Sequence, residues 1–267
     1  MQDKISFLFL GDIIGRPGRR GAKRHLPALK KKYNPSFVIA NGENLAGGIG
    51  LTEKTAAEFL AQADLLTSGN HIWDKKDALE YLDIETRVIR PENYPQPCPG
   101  RGAVVLKNEN GARAAFLNLQ GRVFMEPVDC PFKAADERIE ILREETPVII
   151  VDFHAEATSE KQALGRYLDG RVSAVLGTHT HVPTADERIL PKGTGFITDV
   201  GMVGGYNSVI GIRCDQAVDR FLTSRPQKFE PSKDGFVLSA VYGEVDSLSG
   251  RTLHLERVSI VEENGGE

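Results

Sequence analysis

The stretch VSAVLGTHTHVP, Val172–Pro183, decides how this chain reads. A short apolar run of strand length ends in Gly-Thr-His-Thr-His, which places His179 and His181 two residues apart. Alternation along a strand end sends both rings to the same side, where they converge on one ligand. A metal is the obvious candidate, but two histidines do not complete a site, so the missing donors must come from elsewhere in the chain.

Other apolar runs end in the same manner. ISFLFL is followed by Asp12, FVIA by Glu43 and Asn44, DLLT by Asn70 and His71, and VIIVDF by His154. These runs have strand length and turn-type boundaries. Segments with helical patterning lie between several of them, among them GAKRHLPALKKKY, TEKTAAEFLAQ, DKKDALEYL, ADERIEILREE and SEKQALGRYL. Strand and helix thus alternate through the first two thirds, and strands dominate the rest. The pattern is that of an α/β chain, a β-rich sandwich with flanking helices and crossover connections. In such sheets the carboxyl ends of parallel strands share one edge, where ligand sites form. Donors spread from Asp12 to His181 can therefore meet.

Local signals add finer expectations. Pro27 should kink or break the first helix. Ser159 and Gln162 read as a capping box, and Asp74 as the N-cap of the helix holding Leu79 and Leu82. Gly121–Lys133 reads as a surface excursion, and the tail Glu263–Glu267 as frayed. With no repeat or linker, residues 1–267 are expected to form a single domain.

Composition narrows the function classes. Forty per cent hydrophobic and 26% charged residues are ordinary for a soluble globular chain. A net charge of -4 gives no general attraction to nucleic acid, so no duplex partner is expected. The one basic cluster, Arg16, Arg19, Arg20, Lys23 and Arg24, reads chiefly as a solvated helix face. Cys98, Cys130 and Cys214 form no pair with metal or disulfide spacing. MQDK before ISFLFL is no leader, and no segment has membrane-spanning length, so a cytoplasmic protein without a membrane partner is expected. Homo-oligomerisation is plausible, although no stretch marks an interface.

Four of the six histidines fall directly after buried-type strands, which solvated surface imidazoles would not do. Carboxylate, amide and imidazole donors without cysteine suit borderline divalent metals such as Mn, Fe or Zn. The set exceeds what one tetrahedral ion needs, and two ions bridged by a carboxylate would use it, with Glu43 as the bridge.

With GDIIG at Gly11, NGEN at Asn41, SGNHIWD at Ser68, DFH at Asp152 and GTHTH at Gly177, the chain resembles the calcineurin-like metallophosphoesterase superfamily. It departs from the usual pattern in having Ile14 where a ligand histidine normally stands. That departure, with RPENYP at Arg90 and TDVGMVGGYNSVIG at Thr198, resembles the narrower YmdB-like branch over nearly the full length. The resemblance implies a four-layered α-β-β-α sandwich, two divalent ions (Fe or Mn, with Zn possible) and phosphodiesterase activity on 2′,3′-cyclic nucleotides. It implies Asp12, Glu43, Asn44 and His181 at the first metal, and Asn70, His154 and His179 with the bridging Glu43 at the second. Asn44 then supplies a donor that Ile14 cannot, and His71 matches the family's proton donor.

In that scheme a hydroxide bridging the ions attacks a small phosphoester substrate. His71 protonates the leaving oxygen, helped by an imidazole's titration near neutrality. Asp74 would orient His71. Arg16, in the turn GRPG, is a candidate for a substrate phosphate, and Tyr206 and Asn207 for a base or ribose. The metal motifs read phosphate and not its substituents, so a broader phosphomonoesterase or phosphodiesterase stays open, as does a metal-stabilised regulatory scaffold without catalysis.

Overall fold

The computed structural model describes residues 4–263, so the tail expectation falls mainly outside the described residues. In chain order the strands are β1 (Lys4–Ile13), β2 (Phe37–Asn41), β3 (Leu65–Thr67), β4 (Ala103–Lys107), β5 (Arg113–Gln120), β6 (Ile149–His154), β7 (Ala174–Thr178), β8 (Arg188–Ile189), β9 (Gly195–Ile197), β10 (Met202–Gly204), β11 (Phe236–Asp246) and β12 (Thr252–Glu262). The helices are α1 (Gly15–Tyr33), α2 (Glu53–Leu60), α3 (Asp77–Ile84), α4 (Pro131–Glu145), α5 (Thr158–Tyr167) and α6 (Cys214–Thr223).

The strands form two six-stranded sheets, ordered β12-β11-β10-β1-β2-β3 and β4-β5-β6-β7-β9-β8. In the first, β10, β1, β2 and β3 run parallel and the β11–β12 hairpin is antiparallel. In the second, β5, β6, β7 and β9 run parallel between antiparallel edges β4 and β8. Helices cover the outer face of each sheet, which is the four-layered α-β-β-α sandwich.

Side-chain alternation builds the layers. In β1, Leu8 and Leu10 join the core under α1 and α2, while Phe7 and Phe9 enter the core between the sheets. In β6, Ile150 enters that central core, and Ile149, Val151 and Phe153 pack toward α4 and α5. Strands buried on both faces read as unbroken apolar runs, which is why they stand out in the sequence. Phe7, Phe9, Phe37 and Phe116 are almost fully buried. Each such side chain contributes about 1.5–3 kcal/mol of burial free energy before entropy is counted.

Several local expectations change. α1 runs through Pro27 without a break; at this position the neighbouring packing of Leu26 and Leu29 against the sheet outweighs the lost hydrogen bond. α5 starts at Thr158 with no side-chain cap, so Ser159 and Gln162 form no capping box. The Gln162 amide turns instead to Asp186 and Thr198. A capping box does occur at Thr52 and Thr55 of α2. Asp74 closes the one-turn 3-10 helix Asn70–Trp73 and does not cap α3, whose N-cap is Lys76. The excursion after β5 ends at Pro131, earlier than the sequence suggests, and exposes Phe124. Among the described residues, no helix is long and apolar enough to cross a membrane.

Candidate metal centre

The carboxyl ends of β1, β2, β3, β6 and β7 meet at one edge of the sandwich. Asp12 lies in β1, in register with Asn41 of β2 and Met202 of β10. Glu43 and Asn44 follow β2, Asn70 opens the 3-10 turn after β3, and His154 is the last residue of β6. Glu43, His154 and His179 form one group with converging ligand atoms; Asp12, Glu43 and His181 form a second. Glu43 is common to both.

Distances describe the first group closely. The Nε2 of His154 lies 3.1 Å from Glu43 Oε2, 3.1 Å from Asn70 Oδ1 and 3.0 Å from His179 Nδ1. One imidazole nitrogen carries a single proton or a single lone pair, so it cannot satisfy three such neighbours. In the second group Asp12 Oδ1 lies 3.9 Å from His181 Nε2. That carboxylate oxygen is buried with no hydrogen-bond partner, which is costly unless something else neutralises it. The other oxygen accepts the His179 N–H at 3.2 Å.

The outer nitrogen of each ring fixes which way its lone pair points. Thr178 Oγ1 donates to Asp152 Oδ1 at 2.7 Å, so it accepts from His154 Nδ1 at 2.9 Å. The Ile210 carbonyl can only accept, so His181 Nδ1 donates to it at 2.9 Å. The Glu156 carboxylate lies 3.1 Å from His179 Nε2 and accepts its proton. All three histidines therefore turn a lone pair inward, toward two carboxylates that are themselves acceptors. The inward acceptors outnumber the donors that reach them, which are the Asn44 amide nitrogen and the backbone N–H groups of His71 and His179; that excess fits a cation, and the outer partners set the tautomers a ligand needs.

Electrostatics agree. Burial pushes the Asp12 carboxyl up to about 6, with His181 and His154 opposing. Burial would raise Glu43 as well, but the charge and hydrogen bond of His154, with His71 and His179, bring it below the ordinary carboxylate range. Burial disfavours a charged His154, yet Glu43, Asp12 and Asp152 raise it to about 9. Burial and the neighbouring His154 lower His179 to about 3. A proton and a cation thus compete for His154 Nε2. Uptake of Mn²⁺ by metal-free protein must expel that proton at any pH below about 9. Affinity should then rise about tenfold per pH unit toward that value and level off above it. Calorimetric titration across pH 6 to 9 checks this, and a flat profile contradicts it.

His179 and His181 do not reach the site by strand alternation. β7 ends at Thr178, and both residues follow it with positive φ, 98° and 66°. Non-glycine residues hold such angles only when surroundings enforce them. The enforcing contact is a buried ion pair that sequence reading missed. Lys161 Nζ donates to Asp199 Oδ2 at 2.6 Å, and the same oxygen accepts the Thr180 hydroxyl at 2.7 Å and the Thr180 N–H at 3.2 Å. A lysine in an amphipathic helix and an aspartate after a strand give no local signal of this pairing.

His71 stands beside the cluster. Its backbone N–H donates to Glu43 Oε2 at 3.2 Å, and its Nδ1 lies 2.6 Å from Asp74 Oδ2. The ring is about one-third exposed. Asn44 presents its amide nitrogen to Glu43 Oε1 at 3.0 Å and to His181 Nε2 at 3.4 Å. Ile14 is buried at the start of α1 and packs near Gly204 and Gly211. The RPENYP segment braces the fold behind the site: Arg90 donates to carbonyls of Pro91 and Pro99. Tyr94 packs edge-on against Trp73, two residues past His71.

The remaining candidates lie apart from the cluster. Arg16 is exposed in the first turn of α1. Asn207 donates its N–H to Asp234 and its amide to Glu263, and Tyr206 packs beside Gly235. Their loop reaches the cluster through the carbonyl of Ile210.

Gly69 leaves the space in which the donors meet. A Cβ there would lie 2.1 Å from His154 Cδ2 and 2.4 Å from Glu43 Oε2. Gly69→Ala should displace both side chains and lower turnover on the order of 10²-fold, with metal content falling in parallel. Wild-type metal content in that variant would show that the crowding is tolerated.

This arrangement of sandwich and strand-end donors defines a metallophosphoesterase of the calcineurin-like type. The chain matches the model of the YmdB-like protein family over residues 8–258 and belongs to that family. It is 48% identical, over 96% of its length and 97% of the relative's, to a Bacillus subtilis protein named 2′,3′-cyclic-nucleotide 2′-phosphodiesterase. A crystal structure of a Mycoplasma pneumoniae protein described as a novel phosphatase superposes with TM-score 0.92 at 39% identity, covering 99% of this chain and 96% of that one. A hypothetical protein from Thermus thermophilus superposes with TM-score 0.90 at 43% identity, covering 97% of this chain and all of the other.

Proposed function

We propose that the protein is a dinuclear-metal phosphodiesterase that opens 2′,3′-cyclic nucleotides. The observation that carries this reading is the pair of acceptor groups sharing Glu43, with lone pairs of three histidines turned inward. Asp12, Glu43, Asn44 and His181 would hold one ion, and Glu43, Asn70, His154 and His179 the other. Asn44 would offer its oxygen with the amide turned by half a rotation from its contacts with Glu43 and His181. Oxygen and nitrogen donors without thiolate favour Mn or Fe, with Zn compatible. The full-length relative from Bacillus subtilis supports the substrate class.

When bound, the two cations supply charge to neutralise the phosphate oxygens and acidify a nucleophilic water. The chain's own residues do the rest. Asp74 accepts from His71 Nδ1, which leaves Nε2 as the position for the transferred proton. The Glu43 contact to the His71 backbone N–H holds that residue beside a carboxylate that would hold both cations. The water loses one proton to solvent as its oxygen bonds to phosphorus, the bond from phosphorus to a ribose oxygen breaks, and that oxygen takes the proton from His71, which regains one from solvent. Glu156, Thr178 and the Ile210 carbonyl hold the three ligand rings in place.

A substrate panel tests the reading: 2′,3′-cyclic AMP, 3′,5′-cyclic AMP, bis-p-nitrophenyl phosphate and a monoester, each with Mn or Fe and with metal analysis. Preferential turnover of 2′,3′-cyclic AMP is expected. Preference for the monoester would make the protein a phosphatase, and no turnover of any compound would favour a scaffold.

A further inference from the structure

The exposed face of α1 is electrostatically at odds with the rest of the molecule. Gly15–Tyr33 contains eight lysines and arginines and no carboxylate, in a chain of net charge -4. Its first turns carry Arg16, Arg19 and Arg20 and no acidic residue, although the helix dipole disfavours cations there. A helix face selected only for solubility would mix signs. Arg16, Arg19, Arg20, Lys23 and Arg24 line a cavity of about 970 Å³ together with Lys233, Phe236 and the carboxylates Glu58 and Glu262. Arg19 pairs with Glu58 and Arg24 with Glu262, whereas among the described residues Arg16, Arg20, Lys23 and Lys233 are in no ion pair.

The helix that walls the cavity is joined to the loop carrying Glu43 and Asn44. Gly15 donates its N–H to the Asn44 carbonyl at 2.8 Å, and the Arg19 guanidinium bonds the Leu45 carbonyl. A second cavity of about 620 Å³ shares Arg16, Pro17 and Lys233 with the first and reaches Gly47. Gly47 is three residues past Asn44, hence within about 10 Å of it. From Arg16 to Arg24 the helix extends the basic wall by about 12 Å. Tyr206, 41% exposed, has its Cβ beside Gly235, a residue that lines the first cavity. A basic groove with an exposed aromatic ring beside it is the combination that binds single-stranded nucleic acid, the ring by stacking on a base and the cations by following the phosphates.

We infer that this groove holds the upstream nucleotides of a single-stranded RNA whose 3′-terminal 2′,3′-cyclic phosphate sits at the metal centre. The inference rests on the proposed phosphodiesterase reading and names its substrate class. Its chemistry is consistent: attack of a 2′-oxygen on the adjacent phosphodiester cleaves RNA and leaves the cyclic phosphate on the upstream fragment. The group therefore arises at the end of a polyanion. Hydrolysis adds water across one ring P–O bond, leaving a phosphomonoester and a free hydroxyl on the terminal ribose.

The test compares kcat/KM for 2′,3′-cyclic AMP and for a pentaribonucleotide ending in the cyclic phosphate, using Mn-loaded wild type and the double variant Arg20→Glu, Lys23→Glu. In 50 mM salt the wild type should favour the oligonucleotide by about tenfold. Neutralising two phosphates should make that preference fall by roughly sevenfold at 200 mM salt. The double variant should lose the preference yet turn over 2′,3′-cyclic AMP as wild type does, which also shows that it is folded. Equal kcat/KM for the two substrates in wild type overturns the inference. So does a preference that survives the charge reversal, or oligonucleotide turnover unaffected by salt. Absence of 2′,3′-cyclic AMP turnover in wild type would instead defeat the underlying phosphodiesterase reading.

Discussion

Glu43→Gln is expected to release both cations and lower turnover by more than about 10³-fold, equivalent to several kcal/mol of lost charge stabilisation. The reason is geometric. Glu43 is the residue common to both acceptor groups, and it also accepts from the His71 backbone and the Asn44 amide. Removing its charge leaves Asp12 as the remaining carboxylate in the two groups, faced by three imidazoles. His154 should then lose the main partner that raises it to about 9. Elemental analysis after gel filtration measures the loss directly. Retention of two equivalents of metal by the variant would remove Glu43 from the bridging position.

The second large effect separates catalysis from metal binding. His71→Ala should lower turnover of 2′,3′-cyclic AMP by about 10²–10⁴-fold, the usual range for loss of a general acid. Metal content should remain that of the wild type, because the contact of His71 with Glu43 is through the backbone N–H, which alanine keeps. Asp74→Asn should give a milder loss, since an amide still bonds the ring but leaves it without a counter-charge. A better leaving group, such as p-nitrophenolate in bis-p-nitrophenyl phosphate, needs less protonation. The His71→Ala defect should therefore shrink with that substrate. An equal defect on both substrates would argue for a positioning role.

Much of the layered fold was legible because strands buried on two faces form apolar runs that local sequence reveals. Less visible were β8, only two residues long, and β10, whose partners β1 and β11 are distant in sequence. α6 was also missed: its Val218, Phe221 and Leu222 are exposed, and only Ala217 of the helix is buried. The convergence of Asp12, Glu43, His154, His179 and His181 followed from their places after strands. The reason given for the two histidines of GTHTH did not hold. They meet the other donors through left-handed backbone angles braced by Lys161 and Asp199, a contact 38 residues apart in sequence. Asp74 shows a related ambiguity: the same residue can cap a helix or hold an imidazole, and only the position of the following turn decides. Tyr206 and Asn207 belong to a loop whose contact with the cluster is the Ile210 carbonyl, and backbone carbonyls carry no residue-type signal.

The central claim is that two cations joined through Glu43 are both needed to open the cyclic phosphate. Titrating metal-free protein with Mn²⁺ while following 2′,3′-cyclic AMP hydrolysis tests it most directly. Turnover should stay low through the first equivalent and reach its plateau at the second. Full activity at one equivalent, or activity that persists in excess chelator, would contradict it.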